Sequence, residues 1–109
     1  MATALLGAGA DASLKAMVVQ TLSDVSPDVM ALRSREVMNV DVSEALAQCA
    51  VPMLYLQAKH DRVVWLRSLR HIQRTQARVN VAQIDGPHLL LQRNPEACVE
   101  AIQRFLDVI

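Results

Sequence analysis

The second half of the chain alternates between two kinds of local pattern, and that alternation narrows the possible folds sharply. Val51 to Gln57 (VPMLYLQ) is a short, mostly apolar run bounded by turn-like residues. A strand apolar on both faces belongs to a parallel sheet covered on both sides. Residues 65–77 then place Leu66, Leu69 and Ile72 at helical spacing, with Arg67, Arg70, Arg74 and Arg78 on another side. Val79 to Ile84 (VNVAQI) is rich in β-branched residues and predicts a second strand. Asn94-Pro95-Glu96 has the form of a helix start, and the helix it opens carries Val99, Ile102, Phe105, Leu106 and Ile109 as one apolar stripe. Strand, helix, strand, helix spells a right-handed βαβ unit with two parallel strands and flanking helices, so the fold class is α/β. Two strands make a poor sheet, because independent stability needs three strands or good helix cover. Part of the sheet is therefore expected to lie elsewhere.

The first half predicts helices and no strand. Residues 1–11 read as a frayed, flexible N-terminus. Leu14, Met17, Val18 and Leu22 share a helix face between Ser13 and Leu22. Ser26-Pro27-Asp28 supplies an N-cap, a proline at the first helical position and an acid in the first turn, for a helix to about Met38. Asp41 or Ser43 starts a short helix to about Gln48. Residues 12–109 are thus one unit, with helices over 12–40 and a βαβα core over 41–109.

Composition sets the outer limits. With 109 residues the chain holds one domain of modest size, and 52% hydrophobic content excludes a disordered polar tail. Eleven Lys and Arg balance eleven Asp and Glu, which gives no long-range attraction to nucleic acid or to a membrane surface. Tyr55, Trp65 and Phe105 are the only aromatics, too few for a platform that stacks bases. Cys49 and Cys98 match neither a disulfide scaffold nor a zinc pattern and are expected to be small buried hydrophobes. The first residues lack the basic and long apolar regions of a signal peptide, and no apolar run has the length of a membrane span. A cytoplasmic protein with no cofactor and no metal is the expectation.

In open α/β sheets, sites form at the carboxyl ends of the strands. Here those ends are Ala58-Lys59-His60-Asp61 and Asp85-Gly86-Pro87-His88. An Asp after one strand and a His after its neighbour can meet. The carboxylate then accepts from one ring nitrogen, fixes the tautomer and stabilises the imidazolium formed when His takes a proton. Asp61 and His88 are the candidate acid and base. Each also has a plainer reading: Asp61 as a cap ahead of Val63-Val64-Trp65, and His88 as a loop histidine with its hydrogen bonds met. His60 adjoins Asp61 and is poorly placed to orient toward both its neighbour and a substrate. Asp85 reads as a strand-end turn former ahead of an alternative acid. A metal held by His60, Asp61, His71 and His88 is disfavoured because His71 falls in mid-helix. The four arginines read as a solvated helix face rather than a phosphate or nucleic-acid contact.

The stretches VPMLYLQAKHDRVV and VAQIDGPHLLLQRNPEACVEAIQRFL together resemble the C-terminal part of the α/β-hydrolase family. The likeness covers residues 40–109 well and extends loosely back to about residue 28, where the family has the end of its cap region. In that family a Val-Pro strand leads to a loop bearing the triad acid, a helix and strand follow, a glycine-led turn carries the histidine, and a proline-started helix comes last. Carried onto this chain, the resemblance implies Asp61 as acid and His88 as base. It also implies a small-molecule ester, thioester or lactone substrate attacked by a serine through an acyl-enzyme. Relatives in that family include peroxidases, dehalogenases and acyltransferases.

Two positions depart from the pattern. Ala58 stands where the family usually has glycine. More consequentially, the family's Gly-x-Ser-x-Gly elbow needs glycines for its tight strand-to-helix turn. The three glycines here are Gly7, Gly9 and Gly86, and none lies two residues from a serine. Cys49 precedes a strand, at the wrong end of the sheet to replace that serine. The expectation is the C-terminal portion of a serine-type hydrolase, inactive alone, whose partner is the missing N-terminal part. A non-catalytic, self-associating module derived from a hydrolase is the second reading.

Overall fold

The computed structural model describes all 109 residues, Met1–Ile109. It is a mixed α/β chain with seven helices: α1 (Ala2–Leu6), α2 (Ala12–Ser23), α3 (Pro27–Asn39), α4 (Ser43–Gln48), α5 (Leu66–Thr75), α6 (Leu90–Arg93) and α7 (Pro95–Leu106). Its strands are β1 (Met53–Ala58) and β2 (Val79–Ile84). They pair in parallel from Met53 opposite Val79 to Ala58 opposite Ile84, and no third strand joins them. β1 starts two residues later than the sequence predicts. Proline has no N–H to give a ladder, and Pro52 sits just before the first paired residue.

The main core lies between this sheet and the last helices. Ala58, Ile84, Leu90, Cys98 and Ala101 form one buried cluster, with Leu56, Ala82 and Ala97 packed at its margin. The α7 residues in this cluster are small, which lets the helix approach the strands closely. The predicted α7 stripe is correct in existence and wrong in detail. Cys98 and Ala101 are buried, whereas Val99, Leu106 and Ile109 are exposed. Burial also pushes the Cys98 thiol above its ordinary pKa, so it stays protonated as a small apolar group. Cys49, expected to be buried, is only half-buried. Helix α6 has no counterpart in the sequence reading.

The N-terminus differs most. Residues 1–11, expected to be frayed, contain α1 and contribute to a second cluster of Leu6, Ala10 and Val18. Leu6 is completely buried, and Leu89 from the loop after β2 packs on the same cluster. The reason is tertiary. The Leu89 N–H donates to the Leu5 carbonyl at 3.0 Å, and Gly7 faces Pro87 so closely that an added Cβ would lie 3.2 Å from the proline ring. Gly7 also has φ +72, a conformation side chains resist.

Helix α2 buries Val18 and half-buries Leu14 and Leu22, while Met17 of the predicted face is exposed. Asp11 caps it, accepting from the Leu14 N–H at 2.8 Å. Helix α3 buries nothing. Helix α4 packs on α5, and the buried Gln76 joins their ends by donating to the Leu46 and Cys49 carbonyls. No helix is long and apolar enough to cross a membrane.

Candidate functional site

The two strand-end loops run side by side beyond the sheet. The Lys59 N–H donates to the Ile84 carbonyl and the His60 N–H to the Gly86 carbonyl, both at 3.0 Å. This extension of the ladder brings Asp61 beside the turn that carries His88. In that turn Gly86 packs closely on α6: a Cβ there would fall 2.9 Å from a Leu90 methyl, which would have to shift. The α1 contacts with Pro87 and Leu89 hold the turn from the other side.

His88 Nδ1 and Asp61 Oδ2 are 2.9 Å apart. The pair is sheltered, with side chains 29% and 14% exposed respectively. The second carboxylate oxygen, Oδ1, accepts from the Val63 N–H at 2.7 Å and the Val64 N–H at 2.9 Å. Asp61 therefore braces the backbone ahead of α5, whose own N-cap is Trp65 with no side-chain cap, and it also meets the histidine. The backbone bonds fix the carboxylate plane, which leaves one oxygen aimed at the imidazole.

The electrostatics follow from these bonds. Partial burial acts to raise the Asp61 carboxyl. The hydrogen bonds from His88, Val64 and Val63, together with the His88 charge, outweigh it and hold the group below the ordinary carboxylate range. Asp61 is thus ionised at neutral pH. Tyr55 of β1 shifts upward, mainly through burial and also through the Asp61 charge, so its phenol stays protonated.

A second acid–histidine pair crosses the same two loops in the opposite sense. His60 Nε2 lies 3.0 Å from Asp85 Oδ1, with both side chains exposed. His60 thus turns away from its neighbour Asp61. The sequence does not predict this pair, and it favours a turn-forming role for Asp85 over that of an alternative acid. The Asp85 carbonyl also accepts from Asn94 Nδ2 at 2.9 Å. The only signal in the sequence was that each loop holds one Asp and one His.

His71 on α5 is 2.8 Å from Ser43 Oγ, and no three His, Cys, Asp or Glu side chains converge as metal ligands would. Arg67, Arg70, Arg74 and Arg78 are exposed, and the Arg67 guanidinium lies 5.7 Å from the centre of the Trp65 ring. The surroundings of Asp61 include exposed Val63, Val64, Trp65 and Leu66, an apolar strip leading away from the pair.

A mixed α/β chain with an acid–imidazole pair at the carboxyl ends of two parallel strands is the class that fold and site define. No protein-family model, curated protein or solved structure matches the sequence.

Proposed function

We propose that this chain is the part of a serine-type hydrolase that carries the general base and its orienting acid. The carrying observation is the 2.9 Å contact between His88 Nδ1 and the sheltered Asp61 carboxylate. Engagement of Nδ1 sets the tautomer and leaves Nε2 as the nitrogen that exchanges a proton. In the proposed reaction a serine Oγ attacks the carbonyl of an ester, thioester or lactone. The serine proton passes to His88 Nε2, and Asp61 stabilises the resulting imidazolium. His88 then protonates the leaving group, and an acyl-enzyme is formed for water to cleave.

The serine comes from outside these residues, so the chain alone is expected not to turn over p-nitrophenyl acetate by an acyl-enzyme route. In a polypeptide where a Gly-x-Ser-x-Gly elbow precedes this chain, Asp61→Asn is expected to lower kcat about 10⁴-fold with the fold intact. A gene encoding the chain with no such elbow ahead of it overturns the reading.

The chain by itself gives another readout. Because the folded Asp61 carboxyl lies below its ordinary value of 3.8, its bonds stabilise the fold above that pH. The contribution is lost as pH falls through the folded value. Asp61→Asn is expected to flatten the acid limb of a stability–pH curve, in part only, because Asp11 and Asp41 are also shifted down by Ser13 and Ser43. An unchanged limb would show that the Asp61–His88 bond does not form in solution.

The self-associating module has one observation in its favour: each strand of the two-stranded sheet has an unpaired edge. Sedimentation equilibrium across a wide concentration range tests it. A monomer throughout removes it.

A further inference from the structure

We propose that the cleft between α1 and the two strand-end loops binds a small oxyanion, a carboxylate or a phosphate group, through Arg62 and Arg93. The cleft has a volume of about 490 Å³, within the range of small-molecule sites. His60, Arg62, Asp85 and Arg93 are its charged or titratable lining residues, and Thr3 adds a hydroxyl.

The charge balance of this lining is one-sided. Asp85 is its only acid, and that carboxylate is already engaged by His60. The side-chain contacts between acidic and basic groups are His60–Asp85, His88–Asp61 and Arg104–Glu100, so neither Arg62 nor Arg93 has a carboxylate partner. This holds although acids and bases are equal in number over the whole chain.

Arg93 adds a second, independent sign. Its Nε is the one buried side-chain nitrogen or oxygen in the molecule without a hydrogen-bond partner. Its Nη1 reaches the Gly9 carbonyl only at 3.5 Å. A buried donor left unpaired is costly, and such groups in folded proteins call for a bound water, ion or functional role. One donor of a guanidinium that lines the cleft is therefore left without a partner. A planar, charged fork of donors suits carboxylate and phosphate oxygens better than it suits water alone.

The inference stands apart from the hydrolase reading, because equilibrium anion binding needs no serine. The test is an amide NMR titration of the 109-residue chain with inorganic phosphate and, separately, with malonate, each against sodium chloride at matched ionic strength. Saturable shifts at Gly7, Arg62, Gly86 and Arg93 are expected with at least one of the two anions and not with chloride. The anion that binds more tightly assigns the ligand as phosphate-like or carboxylate-like. Arg93→Gln and Arg62→Gln should each weaken binding about tenfold or more. Arg62 is exposed, so Arg62→Gln decides the matter if Arg93→Gln fails to fold. The proposal is overturned by absent saturation, by equal shifts with chloride, or by binding that Arg62→Gln leaves unchanged.

Discussion

Helices α3 and α7 begin with the same local signature and end in opposite environments. Ser26-Pro27-Asp28 opens α3 and Asn94-Pro95-Glu96 opens α7, each with proline at the first turn and an acid behind it. In α3 the signature acts as local rules require: Ser26 Oγ accepts from the Val29 N–H at 3.4 Å. Yet α3 buries no residue, and Val37 and Met38 are 75% and 83% exposed. In α7 the presumed cap is diverted. Asn94 makes no side-chain cap and spends its amide on the Asp85 carbonyl, while α7 buries Cys98 and Ala101 against the sheet. A start signal therefore says where a helix begins. It says nothing about whether the helix will be covered, or whether the capping side chain will be claimed by something farther away.

Substitutions can break this comparison in a definite order. Ala101→Leu is expected to have the largest effect, a loss of about 1–3 kcal/mol in urea unfolding, because the added carbons enter a packed contact between α7 and the sheet. Asn94→Ala comes next, at about 1 kcal/mol, and should also speed amide exchange in the Asp85–His88 turn by removing its anchor. Ser26→Ala should cost at most about 1 kcal/mol, given the long cap bond, and lower helical circular dichroism without touching the Asp61–His88 contact. Val37→Ser, on the bare face of α3, should change stability by no more than about 0.5 kcal/mol. A large loss from Val37→Ser would mean that α3 is covered in solution, which would erase the difference between the helices. Native-state amide exchange sharpens the same contrast, with β2 and α7 expected to be protected well beyond α3.

Much of the site was legible because its signals are local. The strand ends were readable from the apolar runs, and β2 spans Val79–Ile84 as read. From there the rule that sites gather at carboxyl ends selects the loops of Asp61 and His88. The crossing pair His60–Asp85 was not legible, since pairing between two loops depends on how far each turns beyond the sheet. Arg93 was hidden for a related reason. It lies in α6, a single turn of helix that follows no periodic pattern, and an unmet buried nitrogen is a product of tertiary packing that no local pattern encodes. The role of α1 itself was misjudged, because its composition resembles a loose terminus and its order comes from contacts with Pro87 and Leu89.

Sequence alone settled the α/β class, the parallel crossover and the identity of the residues brought to the strand ends. Those features follow from side-chain period, turn chemistry and the reach of a short chain, all of which act within a few residues. The folded structure settled which helices are covered, which oxygen of Asp61 faces His88, and which arginines are left without a partner. Those outcomes depend on contacts between residues far apart in the chain, where burial and competition for hydrogen bonds override what each segment prefers.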